Sequence, residues 1–252
     1  MKRYAGVLGF FVFLLVSLNV LQLPVERLGR MFGPLGRMVT QRLLPPDIAY
    51  LADYTIVEAT LVTLEMSFVG ALVGTLVSVP VAWLGAWNVS PNRYFCYPLG
   101  RGILALSRAV PTLIWAMLLV VVLGFGPLPG IIALALETIG FAGKLFSEEV
   151  EAINMGPVDA IRATGANDLQ VFVYGVFPQV KAAWAGIAIY NWDSVFRAST
   201  VLGFVGAGGL GLYLRMTTQE MEYQRAMGII TLTIALVLFS EIVSNHVRHK
   251  LY

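Results

Sequence analysis

Apolar residues in this chain fall into runs long enough to cross a bilayer, and the polar positions are gathered between them. The first run, 4–23, follows Lys2 and Arg3 and suffices for a hydrocarbon core of about 30 Å. A cleaved signal peptide is the competing reading. No small-x-small cleavage site follows, so a retained first helix is expected. The second run, 55–87, exceeds one perpendicular crossing and should tilt or protrude. Glu58 and Glu65 lie on it seven residues apart, hence on one face, which should look into protein or water. A third run spans 103–125 with Pro111 near its start, and a fourth covers 131–146. A fifth starts near Lys181 and ends in the glycine-rich 203–211, and the last covers 226–244. Six crossings put both termini on one side. No repeat of solenoid or propeller period occurs. The fold class expected is an all-α membrane protein with about six transmembrane helices.

The interruptions differ in character. Residues 24–53 form a polar connection with Gly-Pro and Pro-Pro breaks and carry Arg27, Arg30, Arg37 and Arg42. The long break, 147–178, reads as folded. Gly156-Pro157 can start a helix, since proline at the first helical position has a preset φ and needs no N–H. Asp159 then falls in the first turn, where negative charge suits the helix dipole. Ala160, Ile161, Arg162 and Ala163 continue this helix to Gly165, a residue suited to a left-handed cap. Asn167 or Asp168 can cap a second helix, on which Leu169, Phe172, Val173 and Val176 make one apolar face. Pro178 closes the unit. The pattern predicts a helix-turn-helix at a membrane surface with an exposed knob; composition alone leaves a solvated loop equally open.

Composition agrees with the pattern. Of 252 residues, 58% are hydrophobic and 13% charged, with a mean hydropathy of +0.76; a soluble domain carries roughly 25% charged residues. A net charge of +2, with the basic residues dispersed, argues against a nucleic-acid partner. The single cysteine, Cys96, excludes an internal disulfide, and the two histidines, His246 and His249, both lie in the tail. With the termini inside, the cytoplasmic segments hold ten lysines and arginines against six outside, in line with the positive-inside rule. Four of those six sit in 24–53. That segment either docks something or lies along the membrane surface.

Little in the chain suggests catalysis. There is no Walker phosphate loop; Gly143-Lys144-Leu145 lacks the hydroxyl that would ligate magnesium. The run 206–211 matches G-x-G-x-x-G, but no strand precedes it, and close helix packing or an irregular turn within the membrane accounts for it better. No zinc spacing or Ser/His/Asp arrangement occurs. Asp193 and Arg197 lie four apart on a presumed membrane helix, the spacing of an ion pair. Either they lock the helix bundle, or Arg197 lines a route and eases an anion past the low-dielectric barrier; both can hold. Glu65 and Glu137 discriminate less.

The register of 147–178 resembles the EAA loop of ABC importer permeases, Glu-Ala-Ala, three residues, Gly, nine residues, then Ile-x-Leu-Pro. Asp159-Ala160-Ile161, Gly165 and Pro178 hold that spacing, with Asp for Glu, Ile161 for the second Ala, Gly175 for Ile and Phe177 for Leu. RAVPTLIWAMLL (108–119), GFGPLPGIIALALETIG (124–140), GKLFSEEVEAI (143–153), GPVDAIRATGA (156–166), YGVFPQV (174–180) and RASTVLGFVGAGGLG (197–211) follow in order. Together they look like the permease of phosphonate-type ABC importers from about Glu58 onward.

The resemblance implies a type I importer (MetI-like) permease fold, with 1–54 as first helix and extracytoplasmic connection and 55–252 as permease core. It further implies a bacterial cell (inner) membrane location with both termini cytoplasmic. The implied partners are a dimer of ATP-binding subunits, a second permease copy or a similar permease, membrane lipid, and an extracytoplasmic binding protein. That binding protein would deliver phosphonate, phosphite or a related phosphorus oxyanion. No cofactor is expected in this chain, with ATP and Mg in the partner ATPase. Pro157, Asp159, Ala160, Arg162, Gly165 and Pro178 would couple to that ATPase, and Trp192, Asp193 and Arg197 would line the pathway. Val195 replaces the family's asparagine, and Glu137 stands where members often have histidine. A type I permease for another small anion or amino acid, and an ATP-independent secondary transporter or membrane scaffold, are the competing functions.

Overall fold

The computed structural model describes residues 2–20 and 25–249, which fall into two compact units, Met1–Pro45 and Pro46–Tyr252. In the first unit, α1 (Lys2–Val20) carries the first predicted span; residues 21–23 of that prediction lie outside the described residues. Its 19 residues measure about 28 Å at 1.5 Å per residue. The expected polar connection is instead largely helical. α2 (Val25–Met38) runs through Gly33 and Pro34 and continues into one widened, π-helical turn, Val39–Leu43. The apolar positions there repeat with helical period, a pattern that the Gly-Pro break obscures.

The second unit is built around α3 (Tyr54–Gly85), capped by Asp53, whose side chain accepts from the Thr55 N–H at 3.2 Å. Its 32 residues reach about 48 Å, so the expected excess over one perpendicular crossing is real. One stripe of it is buried and small: Ala59, Thr63, Ser67, Gly70, Gly74, Ser78 and Ala82. Its middle part packs against α6 (Pro127–Glu151), where a Cβ at Gly70 would stand 2.8 Å from the Leu134 Cβ and one at Gly74 would strike Thr138. Small residues let two membrane helices approach until backbone and side chains touch. Glu58 and Glu65 share a face as expected, but that face is exposed on the single chain.

The third predicted span is not one helix. α4 (Cys96–Ala109) and α5 (Thr112–Leu123) meet at a bend of 90°. Pro111 is the cause: it cannot donate the helical hydrogen bond and drives the residue before it into extended geometry, seen at Val110 with φ −108° and ψ 120°.

After α6 come α7 (Met155–Ala163) and the single-turn α8 (Asp168–Val171), then α9 (Phe177–Leu202), α10 (Leu210–Gln219) and α11 (Tyr223–His249). The glycines of 203–211 form an irregular turn between α9 and α10. Gly206, Gly208 and Gly209 have φ of 96°, 82° and 71°, and the Leu210 N–H donates to Thr63 Oγ1 on α3 at 2.9 Å. Of the polar residues 215–225 before the last span, 215–219 belong to α10, and the last helix, Tyr223–His249, starts earlier and ends later than 226–244.

Among the described residues four helices are long and apolar enough to cross a membrane, and the bent α4–α5 pair makes a fifth. Six were expected. The sixth falls on α1, whose described apolar stretch, Gly6–Leu18, is shorter than a full crossing. The architecture is that of an all-α membrane protein.

Candidate functional site

The 147–178 break is a folded unit with an aromatic base. Phe146 and Trp184 stack at 4.6 Å, Trp83 faces Phe172 at 5.0 Å, and the Trp184 indole N–H donates to the Phe146 carbonyl at 3.2 Å. Val158, Val171, Phe172, Val176 and Val180 complete this buried cluster with Ala82, Ala86 and Val150. The loop alternative is therefore excluded. Burial of this kind is the dominant favourable term in folding, and it fixes the knob to the ends of α3, α6 and α9.

α7 begins two residues before the predicted Gly156-Pro157 start, because Asn154 supplies the cap: its side chain accepts from the Gly156 N–H at 2.9 Å. Asp159 is therefore beyond the first turn, a correction to the dipole argument; it pairs instead with Arg162 at 3.7 Å. The helix stops where expected. Gly165 has φ 80° and its N–H donates to the Arg162 carbonyl at 3.0 Å. Asn167 is the second cap, with Gln170 returning the bond in a reciprocal box.

Two further expectations for this unit are corrected. Leu169 and Val173 are exposed, while the buried set is Val171, Phe172, Gly175 and Val176, because a π-helical turn over Phe172–Val176 rotates the face away from the α-helical register. Pro178 does not close the unit. It sits in the first turn of α9, and Asp168–Val205 forms one continuous span.

On α7 only Val158 is buried, with Met155 and Ile161 half-buried; Pro157, Asp159, Ala160, Arg162 and Gly165 are all exposed, as is Pro178. The structure thus gathers the six predicted coupling positions on the outside of the knob. Gly175 permits that placement: a Cβ there would lie 3.3 Å from the Val158 Cα.

Two residues that sequence reasoning left unassigned hold the knob in place. The Gln179 side chain accepts from the Asn154 N–H at 3.2 Å and donates to the Asn154 carbonyl at 3.2 Å and the Gly175 carbonyl at 2.7 Å, bridging the starts of α7 and α9. Glu151 Oε1 accepts from Arg101 Nη2 at 2.5 Å and from the Trp87 N–H at 3.1 Å, tying the end of α6 to α4 and the α3–α4 turn. Both partners are remote in sequence, so no local spacing marks them.

Gln179→Leu removes three hydrogen bonds, each worth about 1 kcal/mol net. The Asn154 amide is expected to exchange with deuterium roughly fivefold faster or more, read by mass spectrometry on the full chain. An unchanged rate would show that the bridge does not hold the hinge.

Within the membrane helices, Arg197 Nη1 donates to Asp193 Oδ2 at 2.5 Å, and Ser240 Oγ on α11 donates to Asp193 Oδ1 at 3.0 Å. The Asp193 side chain is 9% exposed and that of Arg197 44%, so the pair runs from the core to an open face. Two residues before Asp193 and on another side of α9, Asn191 Nδ2 donates to Thr138 Oγ1 at 3.0 Å. Trp192 lines an apolar hollow of about 290 Å³ with Phe68, Leu72 and Thr75 of α3 and Ala188 and Ile189 of α9. Glu137 is half-buried, and its Oε2 has no hydrogen-bond partner. Lys144 of the Gly-Lys pair lies within α6 and pairs with Glu148 at 3.4 Å. Among the described residues no cluster of metal-ligating side chains occurs.

Comparison with known proteins gives this geometry its context. Residues 78–251 match the family described as binding-protein-dependent transport system inner membrane component. The chain is 38% identical over 205 residues to the phosphite transport system permease protein PtxC of Stutzerimonas stutzeri, covering 81% of this chain and 74% of that one. It is 33% identical over 248 residues to the putative phosphite transport system permease protein HtxC of the same organism, covering 98% and 86%. A solved inward-facing structure of the MetNI methionine ABC transporter has a similar fold, with a TM-score of 0.68 at 20% identity over 79% of this chain and 97% of that one. The chain therefore belongs to the binding-protein-dependent transport inner membrane components: it is a multi-pass, non-catalytic permease of an ABC importer, which works with a separate ATPase subunit and a substrate-binding protein.

Proposed function

We propose that this permease carries phosphite, a phosphonate or a related phosphorus oxyanion into the cell after delivery by its binding protein. ATP, with Mg, is hydrolysed in the partner ATPase. The observation that carries the substrate class is the 38% identity to a phosphite permease over 81% of the chain. Both termini are cytoplasmic in this reading, which puts the exposed face of α7 on the side of the ATPase. That face enters a cleft of the ATPase, and closure of the nucleotide-bound dimer moves α7. Gln179 and Glu151 then pass the movement to α9, α6 and α4. Two copies of the chain form the pathway.

Arg197 suits an oxyanion. Its half-exposed guanidinium can offer paired donors to two phosphoryl oxygens, while Ser240 keeps hold of Asp193 when Arg197 turns away. The test is ATP hydrolysis and uptake in proteoliposomes containing the permease, its ATPase and its binding protein. A panel of phosphite, phosphonates, phosphate and amino acids is applied. Stimulation by the phosphorus oxyanions is expected. Stimulation by amino acids alone would reassign the substrate, and uptake without ATP hydrolysis would remove the importer reading altogether.

A further inference from the structure

α2 carries two stripes that share one spacing. Positions 25, 28, 32, 35 and 39 hold Val, Leu, Phe, Leu and Val, while positions 27, 30, 34, 37 and 41 hold Arg, Arg, Pro, Arg and Gln. The sets are offset by two residues, about 200° around a helix, so one side is apolar and the opposite side basic. Phe32, Leu35, Met38 and Val39 are exposed, Phe32 at 79%. Where the stripes border each other, Pro34, Arg37, Met38, Gln41 and Arg42 line a hollow of about 320 Å³.

We propose that α2 lies flat in the headgroup layer of the bilayer, its apolar stripe sunk toward the acyl chains and its arginines on anionic lipid phosphates. Three observations choose this occupant over a protein. First, α1 ends at Val20 and α2 starts at Val25, a separation that extended chain cannot stretch beyond about 18 Å, so the start of α2 stays near the end of the apolar α1. Second, four charged residues, Glu26, Arg27, Arg30 and Arg37, fall within its 14 residues, and charge is too costly at the centre of a bilayer for such a helix to cross it. Third, its charge is complementary to phosphate, which guanidinium binds bidentately. A helix of this kind rests with its apolar face about 5–10 Å into the boundary, and each arginine near an anionic surface improves partitioning roughly fivefold. The arginines of 24–53 then serve as a lipid anchor, which accounts for four of the six basic residues counted outside.

The full chain in nanodiscs tests this, with Cys96→Ser as background and single spin-labelled cysteines along α2. In phosphatidylglycerol discs, labels at Phe32, Leu35 and Val39 are expected to be open to oxygen and shielded from a water-soluble nickel chelate. Labels at Gly33, Thr40 and Gln41 should show the reverse. The contrast should weaken several-fold in phosphatidylcholine discs or with Arg30→Gln and Arg37→Gln combined. Nickel access at all six positions overturns the proposal. So does shielding that appears only when the binding protein is added, which would make α2 a protein dock, and a contrast insensitive to lipid charge overturns the arginine–phosphate contact.

Discussion

Ala160→Trp abolishes ligand-stimulated ATP hydrolysis and uptake while leaving the isolated permease folded. Ala160 is exposed on α7, one turn from the exposed Pro157 and Ala163, and the residues that root the helix, Val158 and Ile161, point the other way. An exposed helical alanine can become tryptophan for well under 1 kcal/mol of helix propensity, so the melting temperature in detergent should hold within a few degrees. The same volume forced into a packed contact with the ATPase costs about 1–3 kcal/mol or more, roughly one to two orders of magnitude in docking. Gly165→Pro acts in the same direction by another route. It removes the N–H that donates to Arg162 and forbids the φ of 80°, so the α7–α8 turn must be rebuilt. Val158→Trp is the contrasting control: Val158 is fully buried, and enlarging it should unfold the knob itself. Normal stimulated hydrolysis with Ala160→Trp would remove α7 from the coupling path.

How much of this was legible in the sequence depended on whether the cause was local. The apolar runs predict α3, α6, α9 and α11 because burial and the lack of water in a bilayer demand one continuous hydrogen-bonded helix wherever such a run occurs. Gly165 and Asn167 could be placed because a left-handed cap and a side-chain cap each need particular residue types. The onset of α7 was missed for a related reason: Gly156-Pro157 is a good start, and Asn154 is a better one only once the chain is seen to bend there. The buried face of 168–178 was misplaced because nothing local announces a π-helical turn. Pro111 was visible, but the size of its bend was not, since tertiary packing decides whether a proline kinks a helix or breaks it. α2 was hidden by its own proline. Gln179, Glu151 and Ser240 act on partners 25, 50 and 47 residues away, distances at which no spacing rule operates.

The Asp193–Arg197 pair can be divided into its structural and its transporting parts, and the two members should not respond alike. Removing Arg197 leaves a carboxylate that is 9% exposed with only Ser240 for a partner. Breaking a buried pair from that side costs about 3 kcal/mol, the low end of the range because Arg197 itself is partly exposed. Removing the charge of Asp193 instead frees a guanidinium that is 44% exposed and can turn to water, so Asp193→Asn should cost less, on the order of 1 kcal/mol. Arg197→Ala is therefore expected to lower the denaturation midpoint more than Asp193→Asn. The double variant Asp193→Asn/Arg197→Gln, which leaves no buried charge, should recover most of that loss. Uptake separates the readings. If Arg197 receives the oxyanion, the double variant is stable yet transports at least tenfold more slowly, a barrier increase of about 1.4 kcal/mol, and its ATPase still responds to the loaded binding protein. A double variant that regains uptake along with stability would leave the pair as a lock between α9 and α11 and nothing more.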